Sequence, residues 1–142
     1  SMIQDNSIDF VFSWDSLVHV EKEVISSYVA QLSKKMKKTA CGFIHHSNIG
    51  EYFLNGETKV DNPHWRATSM SAKIFDEVCR ENGLTCCIQE KVNWGSDIFN
   101  DCFSVFKNPM NDEISPPHQI ENNKFMDYSY EVKLISNNYN LK

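Results

Sequence analysis

The sequence has no glycine-rich phosphate loop, no CxxC pair and little glycine or proline, with five and four respectively in 142 residues. Its apolar runs stop far short of the roughly 18–20 residues that a bilayer-spanning helix needs, and no charged-then-apolar leader opens it. A cytoplasmic protein with no membrane role is therefore expected. Basic residues are in the minority, 14 Lys+Arg against 19 Asp+Glu for a net charge of −5, so no nucleic-acid footprint is expected. One basic cluster stands out, Lys34, Lys35, Lys37 and Lys38, and it falls at a helix end, where cations suit the macrodipole and solvent. The five cysteines (Cys41, Cys79, Cys86, Cys87 and Cys102) form an odd set without metal-ligand spacing. Free, mostly buried thiols follow, and neither a disulfide framework nor a metal site does.

What the sequence does contain is one domain's worth of apolar patterning, 41% hydrophobic with 12% aromatic, enough for a single core. Ile8 to Phe12 is a short apolar run that turns polar at Ser13, Trp14, Asp15 and Ser16, which predicts a buried strand and a loop. Between Glu21 and Lys38, Val24, Ile25, Tyr28, Val29, Leu32 and Met36 recur at helical spacing on one face. Ala40 to Ile44 repeats the first pattern and ends in His45, His46, Ser47 and Asn48. Strand, helix, strand is a parallel crossover unit, which sets a parallel centre to the sheet.

An irregular stretch from Ile49 to Thr68 follows, long enough to read as a lid or binding loop. A second helix is expected around Met70 to Cys79, with Thr68 or Ser69 as N-cap and Gly83 as its stop. Leu84–Trp94 and Asp101–Lys107 then read as an antiparallel hairpin. Beyond Pro109 the composition changes, and residues 109–142 are expected to form a tail that packs on the sheet or on a partner chain. Since ligands of open parallel sheets bind beyond the carboxyl ends of the strands, three polar segments would meet on one rim. These are Ser13–Ser16, His45–Asn48 and His64-Trp65-Arg66.

Several of these segments resemble class I S-adenosylmethionine-dependent methyltransferases. Asn6-Ser7-Ile8-Asp9-Phe10-Val11-Phe12-Ser13 followed by Leu17-Val18-His19-Val20 is similar to that family's fourth strand and the loop after it. Met36-Lys37-Lys38-Thr39-Ala40 stands where the family has its turn into the fifth strand, and Phe43-Ile44-His45-His46-Ser47-Asn48 resembles that strand's end in sugar and small-molecule O-methyltransferases. Gly83-Leu84, Gln89-Glu90 and Asp101-Cys102-Phe103-Ser104-Val105-Phe106 are similar to the closing hairpin. The resemblance implies an α/β fold that is half of a Rossmann-like methyltransferase sheet, parallel strands plus a C-terminal antiparallel hairpin flanked by helices, over residues 3–108. The family's glycine-rich cofactor loop has no counterpart in these 142 residues.

For function, the resemblance implies methyl transfer from S-adenosylmethionine to a hydroxyl of a sugar or small polar molecule by the parent enzyme. In it Ser13, Trp14 and His19 would contact the cofactor, and Asp15, Trp65 and Arg66 the acceptor. Removing the hydroxyl proton needs a base, and His45 and His46 are the candidates because imidazole titrates near neutrality. Adjacent strand positions diverge, so one of the two would face the cleft. The alternative is a catalytically incompetent, self-associating fragment that does not hold the cofactor. In the family the fourth strand pairs with the first, so here it would be an apolar edge, and a homodimer or domain-swapped oligomer is expected to cover it.

Overall fold

The computed structural model describes residues 2–53, 60–109 and 115–139. Gly56 of the irregular stretch and parts of the tail lie outside them. Strand β1 (Ile8–Leu17) leads into helix α1 (Lys22–Lys35) and strand β2 (Met36–Ser47). A single helical turn, α2 (Gly50–Phe53), and helix α3 (Ala72–Glu81) follow. Strands β3 (Thr85–Val92), β4 (Asp101–Lys107) and β5 (His118–Asn122) precede the last helix, α4 (Phe125–Ser136), and a 3-10 turn at Asn137–Tyr139.

The five strands form one open sheet in the order β1-β2-β4-β3-β5. β1 and β2 pair in parallel, joined by α1 as the crossover. β4 then runs antiparallel to both neighbours, with Cys41 opposite Lys107 on one side and Val92 opposite Asp101 on the other. The hairpin's second strand thus inserts between β2 and β3. The tail contributes β5, parallel to β3.

Side chains alternate across each strand, so the sheet has two distinct faces. Helices α1 and α3 cover one. Ile25 and Val29 of α1 and Phe75 and Val78 of α3 pack there on Ala40, Ile44, Cys86 and Phe106, all buried. The other face carries Phe10, Phe12 and Trp14 of β1 beside Phe43 of β2 and Phe103 of β4, a continuous row of ring contacts. No described helix lies along this second face, and Phe10 and Phe12 are exposed.

Two boundaries differ from the sequence expectation. β1 stays extended through its polar residues to Leu17, which pairs with His46. At the second helix the N-cap is Ser71, whose Oγ accepts from Ile74 N–H at 3.2 Å. Ser69 serves α1 instead: its Oγ accepts the Lys22 N–H at 2.8 Å, and its own N–H donates to the Glu21 carboxylate at 3.0 Å. One serine thereby ties the start of α1 to the approach of α3. Gly83 stops α3 as expected, at φ +74°.

Gly42 sits on the covered face directly beneath the buried Phe106 ring, and a Cβ there would lie 2.3 Å from the ring's Cζ. The ring is packed edge-on against Phe75 and has nowhere to retreat. Gly42→Ala is expected to cost about 1–3 kcal/mol through overpacking, read as a lower urea midpoint with an unchanged denaturant slope.

Candidate functional site

Asp101 opens β4 and is fully buried. A carboxylate in that position must be paired and hydrogen-bonded. Arg66, itself buried, supplies a fork: Nε donates to Oδ1 at 2.8 Å and Nη2 to Oδ2 at 2.7 Å. His45 adds its Nε2 to Oδ2 at 2.9 Å. The His45 Nδ1 accepts the Asp15 backbone N–H at 3.1 Å, so the ring proton belongs on Nε2 and is donated to Asp101. The Asp15 carboxylate, half exposed, lies 3.7 Å from the same guanidinium.

The described part of the irregular stretch after residue 60 is held by polar groups of its own and of β2 and the turn between β1 and α1. Asn62 bonds both backbone groups of Arg66, accepting its N–H and donating to its C=O, each at 2.8 Å. Ser47 Oγ donates to Ala67 C=O at 2.7 Å, and Ala67 N–H donates to Val18 C=O at 3.0 Å. His19 Nδ1–H donates to the Trp65 carbonyl at 2.9 Å. Trp65 is left 82% exposed. Its φ is +49° and that of Asp15 is +51°, a region that non-glycine residues occupy at a cost in strain. Both strained residues flank Arg66.

His46 turns to the other face and is also fully buried. Its Nδ1–H donates to the Ser47 carbonyl at 2.8 Å and its Nε2 accepts the Ser104 hydroxyl at 2.8 Å. Gln89 Nε2 donates to Ser104 Oγ at 3.2 Å and to Ala72 C=O at 2.7 Å. The ring lies flat on Phe75, centroids 4.6 Å apart. Burial drives its pKa down to about 4. Burial likewise raises the thiol pKa values of Cys79 and Cys86, and that of Cys102 to about 12, which leaves them protonated and unreactive.

The rim expected from sequence thus forms, with different duties. His45, Asp15 and Arg66 come together, but around Asp101, and neither histidine offers a free ring nitrogen to solvent. Each of their ring nitrogens is engaged by a protein group. Arg66 is committed to Asp101 and stacked 5.9 Å over Trp94, so its charge does not project outward as a lid cation. Ser13, Trp14 and His19 point three ways: Ser13 lines an apolar groove beside α1, Trp14 joins the aromatic face, and His19 reaches Trp65. Among the described residues they do not line one shared pocket. Among the described residues no group of three His, Cys, Asp or Glu is placed to hold a metal. The residues missed by sequence reading are Asp101, Asn62, Ser104 and Gln89. Only Asp101 carries a signal, as a lone acid opening an apolar strand.

The sheet order and the rim permit a comparison with solved structures. The chain shares its fold with the PH0226 protein from Pyrococcus horikoshii OT3. The TM-score is 0.54 at 15% identity, covering 77% of this chain and 55% of that one. This chain therefore spans about half the length of that protein. No family model matches the sequence, and no curated protein does.

Two measurements check the site. Asp101→Asn leaves the buried Arg66 guanidinium with only the half-exposed Asp15 carboxylate, 3.7 Å away, as counter-charge, and is expected to destabilise the fold by about 3–5 kcal/mol in urea unfolding. The second concerns His46, which titrates near 4 when folded against 6.5 ordinarily. Between those values the unfolded chain binds a proton that the folded one refuses. Its contribution is therefore complete above about 6.5 and declines by roughly 2–4 kcal/mol as pH falls to about 4. His46→Gln should flatten this slope, and an equally steep slope in that variant would refute the assignment.

Proposed function

We propose that this chain is the C-terminal half of a class I S-adenosylmethionine-dependent methyltransferase whose acceptor is a hydroxyl of a sugar or small polar molecule. The observation that carries the reading is β4 lying antiparallel between β2 and β3, the closing hairpin implied by the sequence motifs, met in a chain whose helix-linked strands β1 and β2 run parallel. The shared fold of the PH0226 protein supports the same architecture.

In this reading the chain supplies the acceptor side of the cleft. The exposed Trp65 indole offers a flat apolar surface and the Asp15 carboxylate an acceptor for hydroxyl protons, while Arg66 and Asn62 act as positioning residues beneath them. Holding an acceptor in one geometry is the main demand of an in-line displacement, which turns chiefly on alignment. The companion reading, motivated by a sequence without the family's glycine-rich cofactor loop, is that these residues alone do not hold the cofactor and that the polypeptide is a self-associating, inactive half. The two readings are compatible.

Calorimetry tests the half-domain reading. These 142 residues are expected to give no saturable heat with S-adenosylmethionine, and micromolar binding would overturn the half-domain reading. The methyl-transfer reading is tested by labelled methyl transfer from S-adenosylmethionine to a panel of sugars, using protein expressed from the complete gene. Neither cofactor binding nor transfer in that protein would sink it.

A further inference from the structure

We propose that the uncovered aromatic face of the sheet is an interface between two copies of this chain, with helix α4 of each copy lying on the sheet of the other. The inference rests on burial and patterning and is independent of the methyl-transfer reading.

Among the described residues two apolar surfaces are left uncovered. One is the sheet face opposite α1 and α3. Phe10, Phe12 and Trp14 on β1, Ile88 on β3 and Ile120 on β5 share this face by strand alternation and are 39–64% exposed. A mixed α/β sheet normally carries helices on both faces. The other surface is α4 itself, none of whose residues is buried. Phe125, Tyr128, Val132 and Ile135 form one stripe along it, and Met126, Tyr130 and Leu134 a second on the opposite side. A helix that is apolar on both sides belongs in an interior.

Position links the two surfaces. Phe125 is already seated on the aromatic face, 5.3 Å from both Trp94 and Phe103 by ring centroid, so α4 starts on the patch yet leaves its β1 half bare. A twofold arrangement places the second stripe of each α4 over that half of the partner. The area suffices: the six large apolar side chains so brought together (Phe10, Phe12, Trp14, Met126, Tyr130 and Leu134), at about half exposure and roughly 200 Å² each, amount to about 600 Å² per copy, the lower end of the roughly 1,200–2,000 Å² total of a specific interface. The charges also match. Lys107 lies on the open face without a carboxylate partner among the described residues, while Asp127 and Glu131 stand one helical turn apart on α4, between its two stripes.

Light scattering on the chain at micromolar concentration should give twice the 16.4 kDa chain mass. Leu134→Asp on α4 and Phe12→Asp on the sheet alter exposed positions, so circular dichroism should stay unchanged. Each should weaken the dimer by about tenfold or more, as loss of a central apolar contact does. A third readout needs no variant: Cys41, exposed on the open face in the single chain, should be protected from alkylation in the dimer and react faster on dilution. A monomer at every concentration overturns the proposal. So does a dimer indifferent to Leu134→Asp, or one in which Cys41 reacts at the same rate throughout the dilution series.

Discussion

The rim of this molecule depends on the pairing of one buried carboxylate with one buried guanidinium. Asp101 could not stand at the start of β4 without Arg66, because an unpaired charge in that interior costs several kcal/mol. Satisfying it draws in four separate segments: β4 gives the acid, the irregular loop the arginine, β2 the His45 ring, and β1 the Asp15 backbone. The strain at Asp15 and Trp65 is sustained by this network, since each residue adjoins a group that the network fixes. Residues 62–67, a loop by composition, are thereby tied into the fold.

A second polar chain, His46 to Ser104 to Gln89 to the Ala72 carbonyl, does on the covered face what Asp101 does on the rim. It links β2, β4, β3 and the first residue of α3. The adjacent histidines therefore serve opposite sides of the sheet, and each is satisfied by a residue more than fifty positions later in the chain. Polar satisfaction of this kind specifies register, because a one-residue slip would bring the imidazoles to the wrong partners.

That distance explains what was legible beforehand. The bounds of β4 and the end of α3 follow from local signals, an apolar run opened by Asp101 and a glycine free to take positive φ. The convergence of Ser13–Ser16, His45–Asn48 and His64–Arg66 followed from topology alone. The duties of those residues did not, because an imidazole is a base or a strut according to its neighbours. Asp101 and Ser104 become neighbours only through the pairing of β4 with β2. The N-cap of α3 is of the same kind: local pattern pointed to Thr68 or Ser69, and the contact of Ser69 with Glu21 and Lys22 leaves the role to Ser71. β1 outlasted its apolar run because its polar end pairs with an equally polar end of β2.

The place of β4 in the sheet also orders the events of folding. Cys41 must wait for Lys107 before β2 gains its second neighbour, and within this sheet the parallel β1–β2 pair alone is a two-stranded piece, which is marginal by itself. The middle of the sheet closes only when β4 enters, with the β5 edge added after it. Until then the Phe43 and Phe103 rings and the Arg66 guanidinium lack their native partners, and non-local closure of this sort is slow compared with helix formation. The nascent chain thus has a window, bounded by the emergence of residue 107, in which chaperones have the most apolar surface to bind.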